Sequence, residues 1–363
     1  MATLTPRPEP AAAPADPLDV SRPELWKADR FAPLFERLRA EDPVHYCPAS
    51  EFGPYWSITR HAEIMQVEAL AHIFSSSYTL GGITILGDGK PIWGDDLIPM
   101  FIAMDRPEHS GQRRTVAPAF TPSEMERLGP SLRARTEALV DSLPVGEEFD
   151  WVDKVSIELT TQMLAILFDF PWEERRKLTH WSDWAGDLQA GLDPVRGPKR
   201  LEILWECAGY FTELWKRRQA QEPRGDLISM MIHSEATRNM TPQEYLGNLI
   251  LLIVGGNDTT RNSMSALPIV NARWPGEYRQ VAADRSLVGN ATQELIRWQT
   301  PLAHMRRTAL EDHDIGGKTI RAGDKVVLWY MSANRDESVF AEAGRLVAAR
   351  VNAPRHLAFG FGI

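Results

Sequence analysis

The spacing of apolar positions divides the chain into a short β-containing region, a long helical stretch and a second β region near the end. Over residues 22–40, Leu25, Phe31, Leu34, Phe35 and Leu38 recur at helical intervals and predict a short helix. Residues 54–59, Pro-Tyr-Trp-Ser-Ile-Thr, are aromatic and β-branched and predict a strand. Residues 79–99 are glycine-rich and aperiodic, which predicts a long loop. Beyond it, 123–143, 149–168 and 201–220 repeat apolar residues every three or four positions and predict helices. Thr241-Pro-Gln-Glu244 has the form of a capping box with proline at the first helical position. The helix it opens can run to about Leu267, where Pro268 is expected to stop or kink it. A further helix covers 291–298. Residues 314–320 and 325–330 then predict a small β-meander turning at Gly316 and Gly317. No repeat or linker divides residues 21–363, which read as one mainly α domain with a small β lobe. A flexible, Pro/Ala-rich leader, residues 1–20, precedes it.

Composition narrows the class. Of 363 residues, 43% are hydrophobic and 25% charged, an ordinary globular balance. A net charge of −9 gives no overall attraction to nucleic acid or an anionic membrane. The longest aliphatic run, 249–254, has six residues, whereas a bilayer span needs about 20. No stable membrane insertion is expected. The leader lacks an apolar segment of the signal-peptide kind. Cys47 and Cys207 form neither a disulfide framework nor a zinc pattern, so a reducing cytoplasm is the expected compartment.

Four places carry unusual chemistry. Gly255-Gly256-Asn257-Asp258-Thr259-Thr260 sets two glycines inside a helix, each costing about 1 kcal/mol relative to alanine. Either the helix packs closely there or a large flat group approaches its backbone, with an acid and two hydroxyls beside it to pass protons. Glu294 and Arg297 share a helix face and can pair, as many surface residues do. His109 and Arg113 also project together, as a surface cluster or as donors to an anion. Phe359-Gly360-Phe361-Gly362 is a tight turn in which side chains give way to backbone approach.

Taken in order, these motifs resemble the cytochrome P-450 superfamily of haem-thiolate monooxygenases. The first resembles its (Ala/Gly)-Gly-x-(Asp/Glu)-Thr-Thr, the second its Glu-x-x-Arg, the last the opening of its Phe-Gly-x-Gly-x-His-x-Cys haem loop. Phe149-Asp-Trp-Val-Asp153, Leu252-Ile-Val-Gly-Gly-Asn-Asp-Thr-Thr-Arg-Asn262 and Trp298-Gln-Thr-Pro-Leu-Ala-His-Met-Arg-Arg307 resemble its soluble bacterial terminal hydroxylases of alkanes and fatty acids.

The resemblance implies haem b as cofactor, O2 as oxidant, and electrons from NAD(P)H through a ferredoxin and ferredoxin reductase, with an apolar small molecule as substrate. Gly255 and Gly256 would open the long helix over the haem. Asp258 and Thr259 would deliver protons during oxygen activation. His109, Arg113 and Arg307 would bind the propionates, with Arg306 as the alternate to Arg307. Phe359, Gly360 and Gly362 would line the proximal face. Glu294 and Arg297 would be a buried structural pair, with Arg335 and Arg350 as partners. Apolar residues of 79–104, among them Ile92, Trp93, Leu97, Ile98 and Phe101, would overhang the distal face and, with Leu252, guide the substrate.

Two departures accompany it. The axial thiolate is expected three residues past Ile363, no metal ligand falls within the chain, and neither Cys47 nor Cys207 can replace it, so the sequence reads as a piece ending inside the haem loop, inactive by itself. Residues 268–275 interrupt a region the family keeps helical. The rival expectations are a steroid or terpenoid hydroxylase of the same superfamily, and a haem-free binding protein for apolar ligands.

Overall fold

The computed structural model describes residues 16–86 and 98–362. Its contacts define two units, one of Met1–Lys90 with Ala266–Ile363 and one of Pro91–Ser265.

The first unit begins with two helices, α1 (Pro23–Lys27) and α2 (Ala32–Glu41), where one was expected. Asp29, at φ +53°, breaks them, and the Arg30 amide closes the turn onto the Leu25 carbonyl at 2.8 Å. Strands β1 (Val44–Cys47) and β2 (Tyr55–Ile58) pair antiparallel, followed by α3 (His61–Ala69) and β3 (Phe74–Ser75). Residues 16–20 of the leader are packed. Val20 is buried against Phe35 and Trp329, and Asp19 accepts a hydrogen bond from the Tyr55 hydroxyl at 2.9 Å.

The second unit is helical. It comprises α4 (Glu108–Val116), α5 (Pro122–Asp141), a π-helical turn (Val152–Ile157) running into α6 (Glu158–Phe168), α7 (Arg176–Gly186), α8 (Arg196–Gln219), α9 (Leu227–His233) and most of α10 (Pro242–Arg273). Its core gathers Leu164, Phe168, Trp181, Phe211, Ile228, Leu249 and Ile253 from five of these helices.

Back in the first unit come α11 (Pro275–Ala283), α12 (Val288–Gln299), β4 (Met305–Ala309), β5 (His313–Ile315), β6 (Lys318–Ile320), β7 (Lys325–Leu328) and α13 (Tyr330–Ala333). Gly316 and Gly317, both at positive φ, turn β5 into β6 as expected. The expected meander stops there. β7 instead lies parallel to β2 and antiparallel to β4, inside a five-stranded sheet ordered β1-β2-β7-β4-β3. All four β7 residues are buried, so the Val-Val-Leu run belongs in a sheet covered on both faces.

The expected stop at Pro268 does not occur. Helix α10 runs 32 residues, about 48 Å, straight through it to Arg273. Proline has no N–H to give the Met264 carbonyl one turn earlier. The Trp151 indole Nε1 supplies that hydrogen instead, at 3.2 Å. The orphaned acceptor is thus satisfied from another element, and the helix continues.

Candidate active site

The capping box at the start of α10 is formed as the sequence predicts. The Thr241 amide donates to Glu244 at 2.8 Å, and the Glu244 amide to the Thr241 hydroxyl at 3.2 Å. Leu246, Leu249, Ile250 and Ile253 then bury one side of the helix. Two residues further on, the two glycines part company. A Cβ on Gly256 would meet the Leu164 side chain at 2.7 Å, so this glycine serves packing against α6 and does not open the helix, as had been expected of it. A Cβ on Gly255 would meet nothing within 4 Å, and its residue is exposed. Of the two, only Gly255 presents a bare backbone face of the kind a flat ligand needs.

Thr259 stands one turn after Gly255 and its hydroxyl donates to the Gly255 carbonyl at 2.7 Å. Asp258 points elsewhere: its carboxylate accepts from Ser182 on α7 at 3.1 Å and from Arg261 at 2.8 Å. Arg261 also pairs with Asp183 at 2.7 Å. Burial lifts the Asp258 carboxyl above the ordinary carboxylate range, while Arg261 and Ser182 pull it down. Gly186, at the end of α7, leaves the room this carboxylate occupies, since a Cβ there would lie 2.8 Å from it. The acid and the hydroxyl are adjacent in sequence, but the acid is engaged by Ser182 and Arg261 and the hydroxyl by the Gly255 carbonyl.

His109 and Arg113 sit on α4 with Arg113 exposed. The His109 ring lies 6.5 Å from that of Phe101, which occupies the short 3₁₀ turn Phe101–Ala103. Phe101 and Leu252 are both half-buried against the core of the second unit. Ile98, expected to line the substrate path, is instead buried among Leu204, Leu246 and Ile250. It lies in the packing between α8 and α10. Ile92, Trp93 and Leu97 lie outside the described residues.

In the first unit the Phe-Gly-x-Gly turn forms with Gly360 and Gly362 at positive φ, +74° and +80°, and Phe359 76% exposed. Beside it stands Glu68, buried on α3. Its carboxylate accepts from the Tyr330 hydroxyl at 2.5 Å and from Arg307 at 3.1 Å, and a Cβ on Gly360 would lie 3.3 Å from it. Arg307 therefore stands near the turn. Arg306 faces the other side of β4, its guanidinium over Gly81 and donating to the Leu80 carbonyl at 3.4 Å.

The pair Glu294–Arg297 is fully buried, with contacts of 2.7 and 2.8 Å. Arg350 joins Glu294 at 2.9 Å. Arg335, also expected to partner the pair, donates instead to the Trp298 and Met331 carbonyls. Arg297 extends to the carbonyls of Asn334, Ala343 and Arg345 at 2.6, 2.8 and 2.8 Å. Removing one member of such a buried pair costs about 3–5 kcal/mol.

Both cysteines are buried. Burial pushes the Cys47 thiol up to about 12 and raises Cys207 further. Among the described residues, no His/Cys/Asp/Glu cluster could hold a metal ion, and no helix is long and apolar enough to cross a membrane.

Sequence reasoning missed Ser182, Arg261 and Asp183, Glu68 and Tyr330, and Asn248 with Gln112. Only Arg261, three residues from Asp258, left a local signal.

A mainly helical chain with a small sheet, a long helix with a bare glycine before Asp-Thr, a buried Glu-x-x-Arg and an open Phe-Gly-x-Gly turn define a haem monooxygenase. No protein-family model matches the chain. The linalool 8-monooxygenase of Pseudomonas putida is 35% identical over 353 residues, covering 95% of this chain and 86% of that protein. A methyl-branched lipid omega-hydroxylase of Mycobacterium tuberculosis is 30% identical across 99% of this chain and 84% of its own length. The structure of cytochrome P450-153 from Novosphingobium aromaticivorans superposes with a TM-score of 0.90 at 54% identity, covering 96% of this chain and 86% of that one. The chain belongs to the cytochrome P450 superfamily and is an oxidoreductase of the monooxygenase type.

Proposed function

We propose that this monooxygenase, when complete and loaded with haem, hydroxylates the terminal C–H bonds of medium-chain alkanes or fatty acids in the cytoplasm. Its electrons would come from NAD(P)H through a ferredoxin and its reductase. In the second unit a bare glycine face stands beside a hydroxyl, which suits the approach of a flat group such as haem b; in the first unit a glycine turn lies beside cationic Arg307. When bound, haem supplies the iron at which O2 is reduced and the oxidant forms. His109, Arg113 and Arg307 would hold its propionates, with Glu68 fixing the Arg307 guanidinium. Thr259, whose hydroxyl hydrogen rests on the Gly255 carbonyl, and Asp258, the neighbouring carboxyl held by Ser182 and Arg261 and lifted by burial, would be the residues that supply protons there.

The apolar wall carries the substrate assignment. Leu252 and Phe101 remain half-buried at the edge of the core, bulky apolar side chains that a substrate chain could meet. Such surfaces reward buried methylenes at about 0.8 kcal/mol each. Internal C–H bonds are weaker than terminal ones, so chain-end attack requires bulky side chains that exclude the interior of the chain. The relative named a lipid omega-hydroxylase supports this reading. The linalool 8-monooxygenase supports the second, oxidation of a terpenoid.

Gas chromatography of products decides between them. A medium-length n-alkane should give mainly the primary alcohol, and Phe101→Ala or Leu252→Ala should shift product to internal positions. Turnover of a terpenoid or sterol with no conversion of any linear chain would overturn the first reading.

A further inference from the structure

The Phe101 segment is tied to α10 at two consecutive residues. Gly247 admits the chain at 98–100 so closely that a Cβ there would lie within 2 Å of the Pro99 carbonyl oxygen. Asn248, 1% exposed, then makes three contacts with its amide. Its Oδ1 accepts from the Phe101 backbone N–H at 2.9 Å, and its Nδ2 donates to Gln112 Oε1 at 2.7 Å and lies 3.1 Å from the Met240 sulfur. The Phe101 N–H can only donate, which fixes the orientation of the amide. Gln112 is itself buried and lies between His109 and Arg113 on α4.

One side chain thus joins three parts: the turn presenting Phe101, the helix presenting His109 and Arg113, and the helix presenting Leu252, Gly255 and Thr259. A turn as short as Phe101–Ala103 does not hold a position through its own hydrogen bonds. We propose that Asn248 is a specificity-determining positioning residue, which sets how far Phe101 stands from α10 and so the width left for substrate. This inference rests on Phe101 being a wall of the substrate path, as proposed above. It does not depend on whether the substrate is a linear chain or a terpenoid.

The test compares product profiles of the haem-loaded enzyme on whichever of the two substrate classes it turns over. Asn248→Ala should lower the ratio of wild-type product to other regioisomers about tenfold, the scale on which pocket-wall changes discriminate, in the direction given by Phe101→Ala. Asn248→Asp should restore most of the ratio, because a carboxylate accepts from the Phe101 N–H and from a flipped Gln112 amide. Amide exchange at Phe101 should quicken in the alanine variant and not in the aspartate variant. If the alanine variant yields no haem protein, Asn248→Ser, too short to bridge both partners, carries the same comparison. A wild-type profile from the alanine or serine variant, alongside a shifted one from Phe101→Ala, would overturn the role of Asn248 alone. Unshifted profiles from all of them would show that Phe101 is no wall and remove both readings.

Discussion

The Trp151 indole donates to the Met264 carbonyl, the acceptor that Pro268 leaves without its helical partner. A side chain 113 positions away in sequence completes a helix its own residues cannot. Trp151→Phe keeps the ring and removes the donor, so it should destabilise the protein by about 1–3 kcal/mol, the cost of leaving a partly buried acceptor unpaired. In a Pro268→Ala background the residue 268 amide can satisfy Met264, and the same change should cost less than half as much. Urea titrations of the four proteins measure this coupling. Equal penalties in both backgrounds would show that the indole is only packing.

Thr259→Ala removes the hydroxyl bonded to Gly255. In the complete, haem-loaded protein, NAD(P)H consumption should continue while hydrogen peroxide rises and hydroxylation falls by about 10²–10⁴-fold, the typical worth of assisted proton transfer. Thr259→Ser should retain most coupling. Unchanged product per NAD(P)H in the alanine variant would reduce the hydroxyl to a helix bond.

His356 gives the clearest pH dependence. Its Nδ1 accepts from the Ala358 amide at 3.2 Å, which leaves the hydrogen on Nε2, facing Gln293 at 2.9 Å. Burial holds its pKa below the ordinary value of 6.5, with nearby Arg297 acting in the same direction. A histidine depressed in the folded state favours the neutral form there. Its contribution to stability is therefore present above pH 6.5 and is lost as the pH falls through the folded value. Between pH 7.5 and 5 the wild type should lose more unfolding free energy than His356→Gln, and denaturant midpoints along that series measure the difference. Parallel curves would show that His356 does not titrate on unfolding.

What was legible in the sequence was local. The Thr241 capping box, the Gly316-Gly317 turn and the helices α5, α8 and α12 depend on neighbours within a few residues, and their patterns carried them. The family motifs identified Glu294, Arg297 and Thr259, but their surroundings came from distant segments. Glu68 meets Arg307 across 239 positions and Asn248 meets Phe101 across 147. Pro268 was misread because its missing hydrogen bond is replaced by a tertiary contact. Ile98 was misread because an apolar residue in a loop has the same appearance whether it lines a cavity or fills a core.

Arg297 gives hydrogens to three carbonyls spread over residues 334–345, a stretch with no strand partner in either sheet. A guanidinium here does the work that a neighbouring strand does elsewhere: it gathers scattered acceptors onto one rigid, planar fork. Lysine has the same charge but a single nitrogen, and cannot span all three carbonyls while also facing Glu294. At this position the geometry of the cation matters more than its charge, and the irregular stretch it holds is tailored to arginine alone.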